Sequence, residues 1–150
     1  MPYSTPPGRW SAAPDLPVLP QLRRPDGGPW LALLADDNAI NREVGAAMLQ
    51  VLGVEVHTAQ DGHEVLGMAA AARYDLVLMD LQMPRLDGLA ATRSLRALPG
   101  MATLPVIAVT ANSSDQSRLA CQAAGMNAFV TKPIDIWQLA DTLQRCLPQP

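Results

Sequence analysis

From residue 31 to residue 147 the chain alternates between two hydrophobic rhythms, and that alternation leaves few folds open. Short apolar runs at 31–35, 54–58, 76–79, 106–110 and 128–131 read as strands. Between and after them, apolar residues recur at helical spacing. Ile40, Val44, Met48, Val51 and Leu52 mark a first helix that Gly53 stops. Val65, Leu66 and Ala69 mark a second, and Leu89, Thr92 and Leu95 a third. Leu119, Ala120 and Ala123 mark a fourth, which Ser113 or Ser114 can cap, and Ile136, Leu139, Ala140, Leu143 and Leu147 form the clearest stripe. Five strands alternating with five helices predict an α/β fold, a doubly wound parallel sheet. The first, third and fourth strands are almost wholly apolar, as expected where helices cover both faces. The second carries Glu55 and His57 and belongs at an edge.

Composition supports one folded unit with an extension. Of 150 residues, 49% are hydrophobic, enough for a core, while 17% are charged and the net charge is −3, which excludes a polybasic nucleic-acid binder and an acidic tail. Apolar stretches such as 31–35 and 67–72 fall far short of the ~20 residues a membrane span needs. The N-terminus lacks the basic-then-apolar pattern of a secretory signal, so a cytoplasmic location is expected. Neither Cys121 nor Cys146 lies in a CxxC, and His57 and His63 have no metal-ligand spacing. Both cysteines and most methionines read as packing residues.

Eight of the 14 prolines fall in residues 1–29, with three of the ten glycines. Proline removes donors and fixes φ, so 1–29 reads as a Pro/Gly-rich flexible tail or linker, and 30–150 as the folded domain. Pro14-x-x-Pro17 and Pro17-x-x-Pro20 have the spacing of a polyproline ligand, although a spacer explains them as well. Trp30 is expected at the domain's edge; Trp10 has no assignment.

In doubly wound folds the ligand sits beyond the carboxyl ends of the strands. Here those ends carry Asp36 and Asp37, Asp80, Thr110, and Lys132-Pro133. Two unit charges ~4 Å apart repel by about 4 kcal/mol at an effective dielectric of 20, so three clustered acids call for cations. Hard oxygen donors with room for water and phosphate suit Mg²⁺. Lys132 adds a positive charge and is the only lysine, against ten arginines. A compact ammonium fits one oxygen in a crowded site better than a planar fork does. Asp-Asp alone is ordinary turn chemistry, but Asp80 closes an apolar strand, where a charge is costly unless paired.

The segments LLADDNAINREVGAAML, YDLVLMDLQMPRLDGLAATR, LPVIAVTANSSD and AGMNAFVTKPID together resemble the receiver domain of two-component response regulators, closest to receivers attached to hybrid sensor histidine kinases. The resemblance runs from about Leu31 to Leu147. It implies a flavodoxin-like (βα)5 fold with strand order 2-1-3-4-5. It also implies a role for each rim residue. Asp80 is the phosphoacceptor. Asp37 binds Mg²⁺ directly, Asp36 through water, and the Gln82 backbone carbonyl completes the shell. Thr110 and Ala111 contact the phosphoryl group, Lys132 pairs with it, Pro133 follows a cis peptide, and Phe129 is an aromatic switch. Gln82 and Asn112 occupy the family's variable positions, which tune the lifetime of the phosphorylated state. Asp87-Gly88, shared with the family, reads as turn and cap chemistry.

The function implied is a phosphorelay receiver rather than an enzyme in its own right, one that assists its own phosphorylation and dephosphorylation. It takes a phosphoryl group from a histidine kinase, a histidine phosphotransfer protein or a small phosphodonor, and remodels the surface of the fourth helix, fifth strand and fifth helix to control a partner. No direct nucleic-acid or membrane contact is expected. The chain is expected to be a monomer or weak dimer, and either free-standing or the C-terminal piece of a hybrid kinase that could be tethered to a membrane. Two other readings are weaker. A haloacid-dehalogenase phosphatase would carry Asp-x-Asp-x-Thr after the first strand, whereas this chain has Asp36-Asp37-Asn38 there and Gln82, not an acid, two residues after Asp80. A receiver-like module that is never phosphorylated would not need all the rim positions intact. No GxxxxGK[ST] or GxGxxG phosphate loop is present.

Overall fold

The computed structural model describes residues 18–148. Trp10 and the Pro14-x-x-Pro17 motif lie outside them. Five strands, β1 (Leu31–Ala35), β2 (Glu55–Ala59), β3 (Leu76–Asp80), β4 (Val106–Thr110) and β5 (Ala128–Thr131), form one parallel sheet in the order β2-β1-β3-β4-β5. Five helices alternate with them: α1 (Ala39–Val51), α2 (Gly62–Ala71), α3 (Gly88–Ala97), α4 (Asp115–Ala124) and α5 (Ile136–Cys146). The flavodoxin-like topology and the edge position of β2 are as the sequence suggests.

Because strand side chains alternate between faces, each buried strand feeds two cores. Ala32, Leu34, Leu76, Leu78, Ile107 and Val109 pack with Leu49 of α1, Leu52 just after it, and Leu139 and Leu143 of α5. Leu33, Val77, Met79, Val106 and Ala108 pack on the other side with Val65 of α2, Leu95 of α3 and Cys121 of α4. Every helix begins just beyond the carboxyl end of a strand with a side-chain cap. Asn38, Asp61, Asp87, Ser114 and Asp135 accept from the backbone N–H of Asn41, Glu64, Ala90, Ser117 and Trp137. The strand-end rim therefore gathers helix N-termini.

Three expectations need correction. The second strand runs from Glu55, not Val54. Val54 donates its N–H to the Leu49 carbonyl at 2.9 Å, closing α1, and the ladder begins with Glu55 opposite Leu31. The buried face of α1 only partly follows the predicted apolar stripe: Leu52 is buried and Met48 packs against the core as expected, but Ile40 is 70% and Val44 48% exposed, and the sheet receives Gly45 and Leu49 in their place. A Cβ on Gly45 would lie 2.8 Å from a Leu34 methyl, so the glycine marks a close approach of helix and sheet.

Finally, part of the stretch expected to be a flexible tail is packed on the domain. Leu22 is 2% exposed, in one core with Trp30, Leu49, Leu52 and Leu147. The Leu22 N–H donates to the Leu52 carbonyl at 2.9 Å, Gln21 Nε2 to the Val51 carbonyl at 2.8 Å, and Arg23 Nη1 to the Gly53 carbonyl at 3.0 Å. These donors satisfy carbonyls that a helix C-terminus leaves open.

Candidate functional site

Parallel pairing brings the ends of β1, β3 and β5 to the same rim. Asp36 follows β1 and is 5% exposed; Asp80 is the last residue of β3 and is 3% exposed; Asp37 is exposed beside them. A carboxylate oxygen from each lies within 4.8 Å of the others. Lys132, just after β5, reaches into the notch, with Nζ 3.2 Å from Asp80 Oδ2 and 3.5 Å from Asp36 Oδ2. The two buried carboxylates are held alike. Asp36 Oδ1 accepts from the Asn38 N–H at 2.9 Å, and Asp80 Oδ1 from the Gln82 N–H at 3.1 Å. Each thus has one oxygen fixed by the backbone two residues on, leaving the other for the lysine.

The charges do not balance: three acids face one ammonium. Burial pushes the Asp80 carboxyl above its ordinary range. The charge of Asp36 adds to that rise, while the Gln82 N–H and Lys132 oppose it. For Lys132, burial alone would lower the pKa, but the charges and hydrogen bonds of Asp80 and Asp36 outweigh it and the net shift is upward. The lysine therefore stays charged, and Asp80 carries excess negative charge in a desolvated place.

Such a donor set fits a small hard cation. Opposite oxygens on an octahedral Mg²⁺ at 2.0–2.1 Å stand about 4.2 Å apart. Three carboxylate oxygens spanning at most 4.8 Å need only small adjustments to share one ion.

The remaining expected residues divide. Gln82 is tied to Asp80 through its N–H. The Lys132–Pro133 peptide is cis. Thr110 ends β4 on the same rim, but its hydroxyl is engaged locally: it accepts from the Asn112 N–H at 3.0 Å rather than reaching Asp80. Ala111 is exposed beside it. Phe129 is half-buried on β5, with the Arg118 guanidinium 4.9 Å over its ring. His57 bonds through Nδ1 to the Tyr74 hydroxyl at 2.8 Å, a contact of the sheet edge. Sequence reasoning missed Arg42, whose Nη1 donates to the Asp36 carbonyl at 2.8 Å and pins the end of β1. Its place one turn after the Asn38 cap was the available signal. Also missed was Arg85, whose Nη1 is 3.1 Å from Asp61 Oδ2.

Comparison with known proteins agrees with this geometry. A family model described as the response regulator receiver domain matches residues 32–144. Sensor histidine kinase RcsC of Escherichia coli K12 is 37% identical over 118 residues, covering 79% of this chain and 12% of the kinase. Histidine kinase 5 of Arabidopsis thaliana is 35% identical over 141 residues, covering 77% of this chain and 15% of that protein. The chain thus spans a small part of the length of these relatives. Among solved structures, the chemotaxis protein CheY4 of Vibrio cholerae superposes with a TM-score of 0.77 at 31% identity, over 80% of this chain and all of the other. The receiver domain of sensor histidine kinase PA1611 from Pseudomonas aeruginosa, solved with a magnesium ion coordinated in its active-site cleft, is 41% identical with a TM-score of 0.73, over 79% of this chain and 97% of that one.

Proposed function

We propose a mechanism for a chain that belongs to the response regulator receiver family and is a receiver domain of two-component phosphorelay systems: Asp80 takes a phosphoryl group from a phosphohistidine. The observation that carries this reading is the notch itself, a buried carboxylate at a strand end beside two further acids and the chain's single lysine. Asp80 is the nucleophile. Its oxygen forms a bond to phosphorus as the phosphorus–nitrogen bond of the donor breaks; the bonding pair returns to the imidazole nitrogen, which takes up a proton. Such transfers ask for alignment and charge neutralisation more than for covalent chemistry. Lys132 lies beside Asp80 Oδ2 and would pair with a phosphoryl oxygen on that side. The Gln82 N–H orients the carboxylate, and Thr110 would exchange its Asn112 partner for the phosphoryl group.

Asp36, Asp37 and Asp80, with the Gln82 carbonyl, would hold Mg²⁺, which when bound supplies positive charge opposite the developing negative charge. The related receiver solved with magnesium in its cleft supports that assignment. In this reading the chain is no enzyme with turnover on a separate substrate, and the consequence of phosphorylation is carried by the surface of α4, β5 and α5. Phe129 lies on that surface and Thr110 ends the strand beside it. No helix among the described residues is long and apolar enough to cross a membrane.

The partner is a helix carrying the phosphohistidine, on a histidine kinase or a phosphotransfer protein. Ile40 and Val44 stand exposed on α1 next to the notch. A cavity of about 360 Å³, lined by Asp36, Val44, Gly45, Lys132, Pro133 and Ile134, opens between α1 and the start of α5. An apolar helix face fits there with its histidine over Asp80. Replacing Ile40 and Val44 together with Ser is expected to slow transfer from a phosphohistidine protein by at least about tenfold, the scale of one interface anchor. The rate with a small acyl phosphate should be unchanged. Equal slowing of both rates would place these residues in the chemistry rather than in docking.

Mass spectrometry tests the central proposal. Incubation with a small acyl phosphate and Mg²⁺ should add one phosphoryl group to the chain, and chelation of the metal should prevent it. An unchanged mass over hours would refute the proposal and leave a receiver fold used only for interaction.

A further inference from the structure

We infer that Asp61 and Arg85 form a clamp that positions the segment following Asp80 for phosphoryl transfer. The inference rests on Asp80 being the phosphoacceptor. Among the described residues Arg85 is the sole non-glycine with positive φ, at 67°. For an L-residue with a long side chain that conformation is strained, and glycine would avoid the strain. Arginine at this position reaches Asp61, where Nη1 meets Oδ2 at 3.1 Å. Asp61 itself is buried, and its other oxygen accepts from the Glu64 N–H at 2.9 Å as the cap of α2.

Residues 81–87 are wedged between α2 and β3. A Cβ on Gly62 would lie 2.6 Å from the Leu86 carbonyl oxygen, and one on Gly88 would collide with the Asp80 carbonyl oxygen. Met83 is buried beneath, and the Gly88 N–H donates to the Leu81 carbonyl at 3.1 Å. Arg85 closes the remaining, solvent-facing side. At the near end of the same segment the Gln82 N–H holds Asp80 Oδ1. A shift of this loop therefore displaces the donor that orients the nucleophile. An ion pair with an exposed arginine contributes too little to decide folding but enough to choose between loop arrangements.

Four variants separate positioning from structure: R85A, R85K, D61N and D61N/R85A. Asparagine caps a helix about as well as aspartate, so D61N removes the ion pair and keeps the cap. Each is compared with the wild type by melting temperature, by hydrogen exchange of the Gln82 amide in metal-free protein, and by the rate of phosphorylation from a small acyl phosphate. R85A and D61N should each speed Gln82 exchange and slow phosphorylation three- to tenfold with little change in melting. The double variant should be no slower than either single one, and R85K should recover most of the rate. Wild-type exchange and rates in R85A and D61N would overturn the clamp, as would effects that multiply in the double variant or an R85K no better than R85A. A wild type that accepts no phosphoryl group would sink the phosphoacceptor reading instead. The exchange measurement, made without metal or phosphodonor, would still decide whether the clamp holds the loop.

Discussion

Asp80→Asn is expected to abolish phosphoryl incorporation and, in metal-free buffer at pH 7, to raise the melting temperature. The first effect follows from the loss of the nucleophilic oxygen, and incorporation should fall below detection by mass. The second follows from the environment of Asp80. Burial and the neighbouring Asp36 raise its folded pKa above the ordinary value, against the opposing pull of Gln82 and Lys132. A carboxyl whose pKa is higher folded than unfolded contributes stability below its unfolded pKa and loses it as pH rises through the folded one. At neutral pH that contribution has gone in the wild type, whereas an amide has no charge to desolvate. The lost contact with Lys132 offsets part of the gain, but Lys132 keeps Asp36. A net gain on the order of 1 kcal/mol, or roughly 3–5 °C for a domain of this size, is expected. It should shrink as pH falls and wild-type Asp80 takes up its proton. Added Mg²⁺ should reverse the order, because ligand at a hundredfold excess over its dissociation constant stabilises the wild type by about 2.7 kcal/mol. Thermal melts of both proteins across pH, with and without Mg²⁺, measure all of this. A less stable metal-free Asn variant at pH 7 would mean that Lys132 already neutralises the notch.

Leu22→Ala is expected to destabilise the domain by about 2–5 kcal/mol, the usual cost of truncating a fully buried leucine. The residue lies eight positions before Trp30, in a stretch whose prolines suggest a spacer, yet it is as buried as the strand residues of the same core. We propose that the folding unit begins near residue 18 rather than at 30. Deletion through Arg24 should cost at least as much as the point variant, because it also strips the donors from the Val51, Leu52 and Gly53 carbonyls. Urea denaturation measures both. Wild-type stability in the deletion variant would restore the spacer reading for the whole stretch.

The sheet and the notch were legible for one reason: both are written in local patterns. A strand buried on two faces must be apolar throughout, and a strand end in this fold must carry the chemistry, so Asp36, Asp37, Asp80 and Lys132 could be read by position alone. What escaped depends on residues that carry no hydrophobic signal. Gly45 has no side chain, yet it sets which face of α1 meets the sheet, and counting apolar residues therefore turned that helix toward Ile40 and Val44. Leu22 is one leucine among prolines, and its burial depends on a core shared with Trp30, Leu49, Leu52 and Leu147, 8 to 125 positions away. The Asp61–Arg85 contact joins two loops 24 residues apart and depends on a left-handed φ that no composition reports. Val54 looks like a strand residue because it is buried, but its N–H closes a helix.

Having its one lysine inside the acidic notch also makes this chain convenient to interrogate. Reductive methylation with isotope-enriched formaldehyde would label a single side-chain amine, Lys132, besides the chain terminus. Its resonance would then serve as a built-in beacon, reporting the electrical state of one carboxylate cage without any engineered tag.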